Sequence, residues 1–181
     1  MRMSQAEKDK SHARIVASAS RLLRERGVDG ASVSDVMKDA GLTHGGFYKH
    51  FANKDALVES ALQSAFATFV GMLESGEPDA ARAWRELYLS DGHIRNPGRG
   101  CPVSALGQDI GRGSQQIKAS FGQGVEEIVD ALAATMDGSA DERRIAALQQ
   151  FSMLVGAVVI ARASDPQLAD EVISAVSSAV N

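Results

Sequence analysis

What is scarce in this 181-residue chain excludes more than what is common. It has one cysteine, Cys101, so no internal disulfide framework can form, and a lone thiol suits a reducing cytoplasm. The first ten residues, MRMSQAEKDK, contain no apolar core of the kind a signal peptide needs. The longest apolar run, Met153 to Ala161, is nine residues, less than half of what spans a bilayer, so no membrane partner is expected. No stretch reads as a strand, none repeats and none is of low complexity. No cluster of His and Cys has ligand spacing, so neither a metal nor any other cofactor is expected. An excess of positive charge is missing too: the formal net charge is −4. That total hides an asymmetry. Residues 1–60 carry ten Lys or Arg against eight Asp or Glu, whereas residues 61–181 carry nine against fifteen.

What remains is helical. Apolar residues make up 44% and charged residues 23%, close to an average globular chain with length enough for a real core. Ser11 to Arg26 sets Ile15, Ala19, Leu22 and Leu23 on one face, and Gly27 ends it before a short loop, 28–31. A long helix from Asn53 or Lys54 to about Ser75 follows, with Leu57, Ala61, Leu62, Ala65, Phe66, Phe69, Val70 and Leu73 in the i, i+4, i+8 rhythm. The segment 76–79, which includes Pro78, breaks it. Helices are then expected near 80–89, 102–110, 114–136, 140–163 and 166–180, with turn chemistry across 90–100. The fold class is all-α, a helix-turn-helix domain of three helices at residues 1–53 followed by a helical domain at residues 54–181.

Ser32 to Lys54, SVSDVMKDAGLTHGGFYKHFANK, is the most informative stretch. Ser32 caps a helix with Asp35 in the acidic position of a capping box. Val33, Val36, Met37 and Ala40 form its apolar face, and Gly41 stops it, since glycine enters the left-handed conformation at little cost. Thr43 opens the next helix within three residues, so the two must cross steeply. This is the layout of a helix-turn-helix, which sets its second helix in the DNA major groove.

Residues 11–57 resemble the N-terminal region of the TetR family of bacterial transcriptional repressors. The likeness lies in Arg14-Ile15-Val16, Ala19, Leu22-Leu23 and Gly27, then Ser32-Val33 and Ala40-Gly41-Leu42-Thr43. It continues through Gly45-Gly46-Phe47-Tyr48-Lys49-His50-Phe51, Lys54 and Leu57. Met37 departs from the family's more usual alanine. The resemblance implies a dimer on an operator, gripping it through Thr43, Tyr48, His50 and Lys54 as phosphate contacts, which fix register. Ser32 or Ser34 adds a further phosphate contact. His44 and Lys49 can both donate to guanine and are the candidates for base edges. Gly45 and Gly46 remove side chains so that backbone can approach DNA. Phe47 and Phe51 read as core. Two readings stay open for His50, a phosphate contact or a packed histidine, and for His44, a base contact or a solvated cap. Lys8, Lys10 and Arg14 read equally as further contacts to backbone phosphates or as a basic, partly disordered N-terminal arm.

A helix that is apolar on every side must be surrounded, and Met153–Ala161 is such a segment. The resemblance implies that the last two helices, 141–163 and 166–180, build a four-helix interface in a homodimer, with Leu168, Val172, Ile173 and Val176 contributing. Between head and interface, residues 71–136 would sense a small-molecule or electrophile inducer, with Trp84, Tyr88, His93 and Cys101 as candidate handles, Trp84 and Tyr88 reading more readily as ordinary core. Cys101 follows Arg99-Gly100 at the start of a helix, where dipole and cation would lower its pKa and make a reactive thiolate. The other reading is a packed cysteine. The expected function is a dimeric repressor of the bacterial cytoplasm and nucleoid, released from its operator by a ligand or by modification of Cys101. It is not expected to be an enzyme, the alternatives being a Cys101–His93 nucleophile and base, or a helical protein-interaction module.

Overall fold

The computed structural model describes residues 4–77 and 79–180. Residues 1–3, Pro78 of the expected break and Asn181 lie outside the described residues. Nine α-helices and two short 3₁₀ segments are present among those described, and no strand. Helix α1 (Gln5–Gly30) starts earlier than periodicity suggested, because Ser4 and Glu7 form a capping box ahead of the apolar face. Gly27 interrupts it at φ 80°, but residues 28–30 resume a helical turn where a loop was expected. Next come α2 (Val33–Asp39), a 3₁₀ segment (His44–Lys49), α3 (Lys54–Leu73) and α4 (Ala80–Tyr88).

The 90–100 region departs from the sequence reading. Ser90 accepts from the His93 amide and caps a five-residue helix, α5 (Asp91–Arg95), and Pro97–Arg99 forms a 3₁₀ turn. One helical turn is too short to show periodicity. Helices α6 (Pro102–Arg112), α7 (Gln115–Ala133), α8 (Ala140–Ala163) and α9 (Pro166–Val180) complete the chain.

Helix α3 is the spine. Its buried residues Leu57, Val58, Ala61, Leu62, Ala65, Phe66, Phe69 and Leu73 pack on α1 at one end and along α7. By length and composition α3 and α8 are each apolar enough to cross a membrane, although polar residues interrupt both. In α3 that character belongs to a core helix. In α8 only a third of the apolar stretch is buried, through Ala147, Phe151, Leu154, Ala157, Val158 and Ala161.

Candidate DNA-binding head and sensor core

The head is fixed from within before it meets anything outside. In α2 the Asp35 amide donates to Ser32 Oγ and the Ser32 amide to Asp35 Oδ2, both at 3.1 Å. Ser18 of α1 donates to Asp39 Oδ2 (2.6 Å) and to the Val36 carbonyl, and Arg21 pairs with Asp39 Oδ1 at 2.6 Å. Those bonds hold the Asp39 carboxyl below its usual pKa. Gly41 sits at φ +68°, as the turn requires. The Arg14 guanidinium packs there and donates to the Ala40 carbonyl, capping α2. Arg14, one of the candidate phosphate contacts, thus spends a donor within the fold although its side chain stays exposed.

The segment His44–Lys49 is a 3₁₀ helix, not the α-helix expected. Two adjacent glycines weaken α-helix, and packing holds the tighter form. Phe47 is 1% exposed and stacks on buried Phe51 at 5.7 Å, as expected of core. This anchors one side and turns the rest outward. Tyr48 is 72% exposed, and Thr43, His44 and Lys49 are exposed beside it. Thr43 makes no side-chain cap bond. A Cβ at Gly45 would meet nothing within 4 Å, and one at Gly46 would make ordinary contacts with the Met37 methyl at 3.5 Å and Thr43 Oγ1 at 3.9 Å. Neither glycine has a positive φ. Nothing inside the chain demands glycine at either place, so any demand comes from outside. Ser34 is exposed, while the Ser32 hydroxyl is occupied by Asp35. Lys54 Nζ reaches back to the Val28 carbonyl at 2.5 Å, tying α3 to the end of α1. His50 is half-buried, with Nδ1 buried and unpartnered.

In the second region the four expected handles converge. Trp84, Tyr88 and His93 form an aromatic cluster with Phe69 and Phe151, the Tyr88–His93 centroids 4.5 Å apart. Trp84 Nε1 donates to the Phe69 carbonyl at 3.2 Å. Only Trp84 of the four borders the open groove of about 430 Å³ that Met72, Ala83 and Leu87 line, with Glu77 and Asp79 beside them.

His93 is held by backbone on both sides. Its Nδ1 lies 2.6 Å from the Tyr88 carbonyl and must carry a proton to bond it, leaving Nε2 to accept from the Cys101 amide at 2.8 Å. A second proton on Nε2 would face that N–H. Burial, with the nearby guanidiniums of Arg162 and Arg24, brings its pKa down to about 4. The unfolded value is near 6.5, so the neutral ring's contribution is complete above that and is lost as pH falls toward 4. Urea unfolding should show roughly 2 kcal/mol lost to this group between about pH 7 and about pH 5. A His93→Gln variant should be less stable at neutral pH and flatter over that window. An equal slope in both would refute the assignment.

Cys101 overturns an expectation. The thiol is 0% exposed, and burial pushes its pKa up rather than down. The cation that acts on it is Arg24 of α1, not Arg99. Both nitrogens of His93 are taken by backbone, so His93 and Cys101 do not make a base and nucleophile.

Sequence reasoning missed the residues that bind this core to the head. Arg24 donates to the Gly100 carbonyl at 2.8 Å, and the Val28 amide donates to Asp109 of α6 at 2.9 Å. Arg162 of α8 donates to the carbonyls of Ile94, His93 and Ser104 and to Ser104 Oγ. Only Arg162 left a signal, a charge closing an apolar helix.

Residues 15–61 match the family described as bacterial regulatory proteins, tetR family. The chain is 32% identical over 79 residues to the HTH-type transcriptional regulator TtgR of Pseudomonas putida, covering 44% of this chain and 38% of that protein. It is 22% identical over 130 residues to the HTH-type transcriptional repressor NemR of Escherichia coli, covering 68% of this chain and 65% of NemR. The matched stretch is thus well under half of TtgR. Among solved structures, the reduced form of E. coli NemR superposes with a TM-score of 0.77 at 20% identity, over 94% of this chain and 95% of that one. A TetR transcriptional regulator from Legionella pneumophila gives 0.77 at 17%, covering 100% of both chains. At such identities these structures speak for the fold.

Proposed function

From the match of residues 15–61 to the tetR family of bacterial regulatory proteins and the likeness to TtgR, we propose that the chain is a homodimeric, sequence-specific DNA-binding repressor of that family, acting in the bacterial cytoplasm and nucleoid. Residues 1–53 would bind the operator, and residues 54–181 would dimerise and sense a ligand. The observation that carries this reading is the outward face of the 3₁₀ segment. Tyr48, Lys49, His44 and Thr43 are presented by a buried Phe47–Phe51 anchor, beside two glycines the fold itself does not require.

The dimer is supported by α8 and α9. Ile145, Leu148, Met153, Val159 and Ile160 of α8, with Leu168 of α9, are large apolar side chains between 39% and 56% exposed. Contiguous apolar surface of this kind marks an interaction site, and a second copy would bring two heads to successive major grooves about 34–36 Å apart. For release, the buried thiol favours a noncovalent ligand over direct attack on Cys101. The groove beside Trp84 is the entry we infer for it.

A gel shift on the protein's own promoter fragment tests both halves, run with and without a quinone electrophile and with Cys101→Ser alongside. Salt-dependent, specific binding that the electrophile leaves intact in both proteins is expected. Release of the wild type alone would return the switch to Cys101. A log–log salt slope near zero on every fragment would sink the repressor reading.

A further inference from the structure

The groove between α3 and α4 combines apolar surface with charge of one sign. Outside α8, α9 and Tyr48, Met72 and Leu87 are the only large apolar side chains left exposed among the described residues, and both line this groove. Ala83 and Trp84 complete its apolar wall, with room of about 430 Å³, the size of a drug-like ligand site. Trp84 is fixed in place, since its Nε1 donates to the Phe69 carbonyl and its ring packs against Phe69 and Phe151. Glu77 and Asp79 lie at the rim, and no Lys, Arg or His lines the groove among the described residues. Asp79 is already taken by Arg82, which pairs with it at 3.2 Å and with Glu86 at 3.4 Å. The Glu77 carboxylate makes no ion pair among the described residues. An apolar wall with one unpaired carboxylate at its edge selects by charge as well as by shape.

We propose that this groove takes an organic cation with an apolar body, its ammonium at Glu77 and its hydrocarbon against Met72, Trp84 and Leu87. This rests on the reading of the groove as the ligand entry and names the class of ligand. An anion of the same shape would meet Glu77 and Asp79 with no cation to answer it. A neutral molecule would gain only the apolar contact. The exposed ion pair adds a modest part, up to about fivefold in affinity, and salt weakens it. Bound there, the ligand acts on α3. That helix holds Met72 and the carbonyl that Trp84 bonds near one end, and it starts at Lys54 against the head. Groove and head thus lie at the two ends of one helix of 20 residues, about 30 Å long.

Trp84 is the chain's one tryptophan, so its fluorescence reports directly on this groove. Titrations with phenylbutyltrimethylammonium, phenylbutanol and phenylbutyrate compare one apolar body carrying a positive, a neutral and a negative head. The ammonium should bind tightest and phenylbutyrate weakest, with the gap closing at about 1 M salt. Glu77→Gln, an exposed change, should remove the ammonium's advantage over the alcohol. Leu87→Ser should weaken both about equally. The ammonium should also release the wild type from its promoter fragment at a lower concentration than it releases Glu77→Gln. Equal binding of all three probes, a preference that Glu77→Gln leaves intact, or no change in Trp84 emission with any of them would overturn the cation site. Emission that follows protein concentration and ignores the probes would make the groove a contact between copies, which also overturns it. A cation that binds while the operator stays bound would overturn its role in release and leave the repressor standing. Cation binding by a protein with no specific DNA binding at any salt would sink the repressor reading and leave the cation site.

Discussion

Gly124→Ala is expected to lose about 3 kcal/mol or more of folding stability, although alanine is the better helix former by about 1 kcal/mol. Gly124 is buried in α7 where that helix crosses α3. A methyl group there would overlap the ring of Phe66, with Cε2 at 2.5 Å and Cγ and Cδ2 nearer still. Phe66 cannot swing away cheaply. It is 1% exposed and packed edge-on against Phe121 at 5.7 Å. The helices must therefore separate, which opens gaps along the rest of their contact, or the ring must leave its rotamer. Urea unfolding followed by circular dichroism measures the loss. Adding Phe66→Leu should recover part of it, since the second change makes the room the first one needs. A Gly124→Ala protein as stable as the wild type would mean that α3 and α7 lie further apart than described.

Periodicity carried far more of this fold than of its site. The ends of α8 and α9 follow the expected ranges, and Gly41 holds the turn that only its missing side chain predicted. Such features are local, written within a few residues of where they act. The 3₁₀ form of the recognition segment was not legible, because it reflects Phe47 and Phe51 being pulled into the core, a tertiary cause. Arg14 shows the same limit. As a cation at the front of a DNA-binding head it reads as a phosphate contact, yet its carbonyl partner lies 26 residues away. Cys101 shows it most sharply. Helix start, neighbouring arginine and glycine all argued for a thiolate, and each is a local observation. What decides is complete burial, which outweighs the bonds from Tyr88 and from the backbone of Val103 and Ser104 that pull the pKa down, and no neighbouring residue reports it.

Arg162→Met is expected to lose roughly 3–5 kcal/mol and to weaken operator binding from a position that touches no DNA. Methionine keeps the unbranched apolar stem and removes every donor. Three carbonyls, those of Ile94, His93 and Ser104, would be left without the guanidinium that now bonds them at 2.9–3.1 Å. Arg162→Lys should rescue little, since an ammonium cannot reproduce the planar fork that bonds several acceptors at once. The effect on DNA follows from what those carbonyls belong to. They lie in the 93–104 segment, whose Gly100 carbonyl accepts from Arg24 of α1, and α6 continues from it to Asp109 and the Val28 amide. Two arginines thus hold one segment from opposite sides, one on the exposed-face helix α8 and one on the DNA-binding head. If that segment is the mechanical link, Arg24→Met and Arg162→Met should be non-additive in operator affinity, the second change costing little once the first is made. Full additivity would place the link along α3 instead, through Lys54 and the Val28 carbonyl.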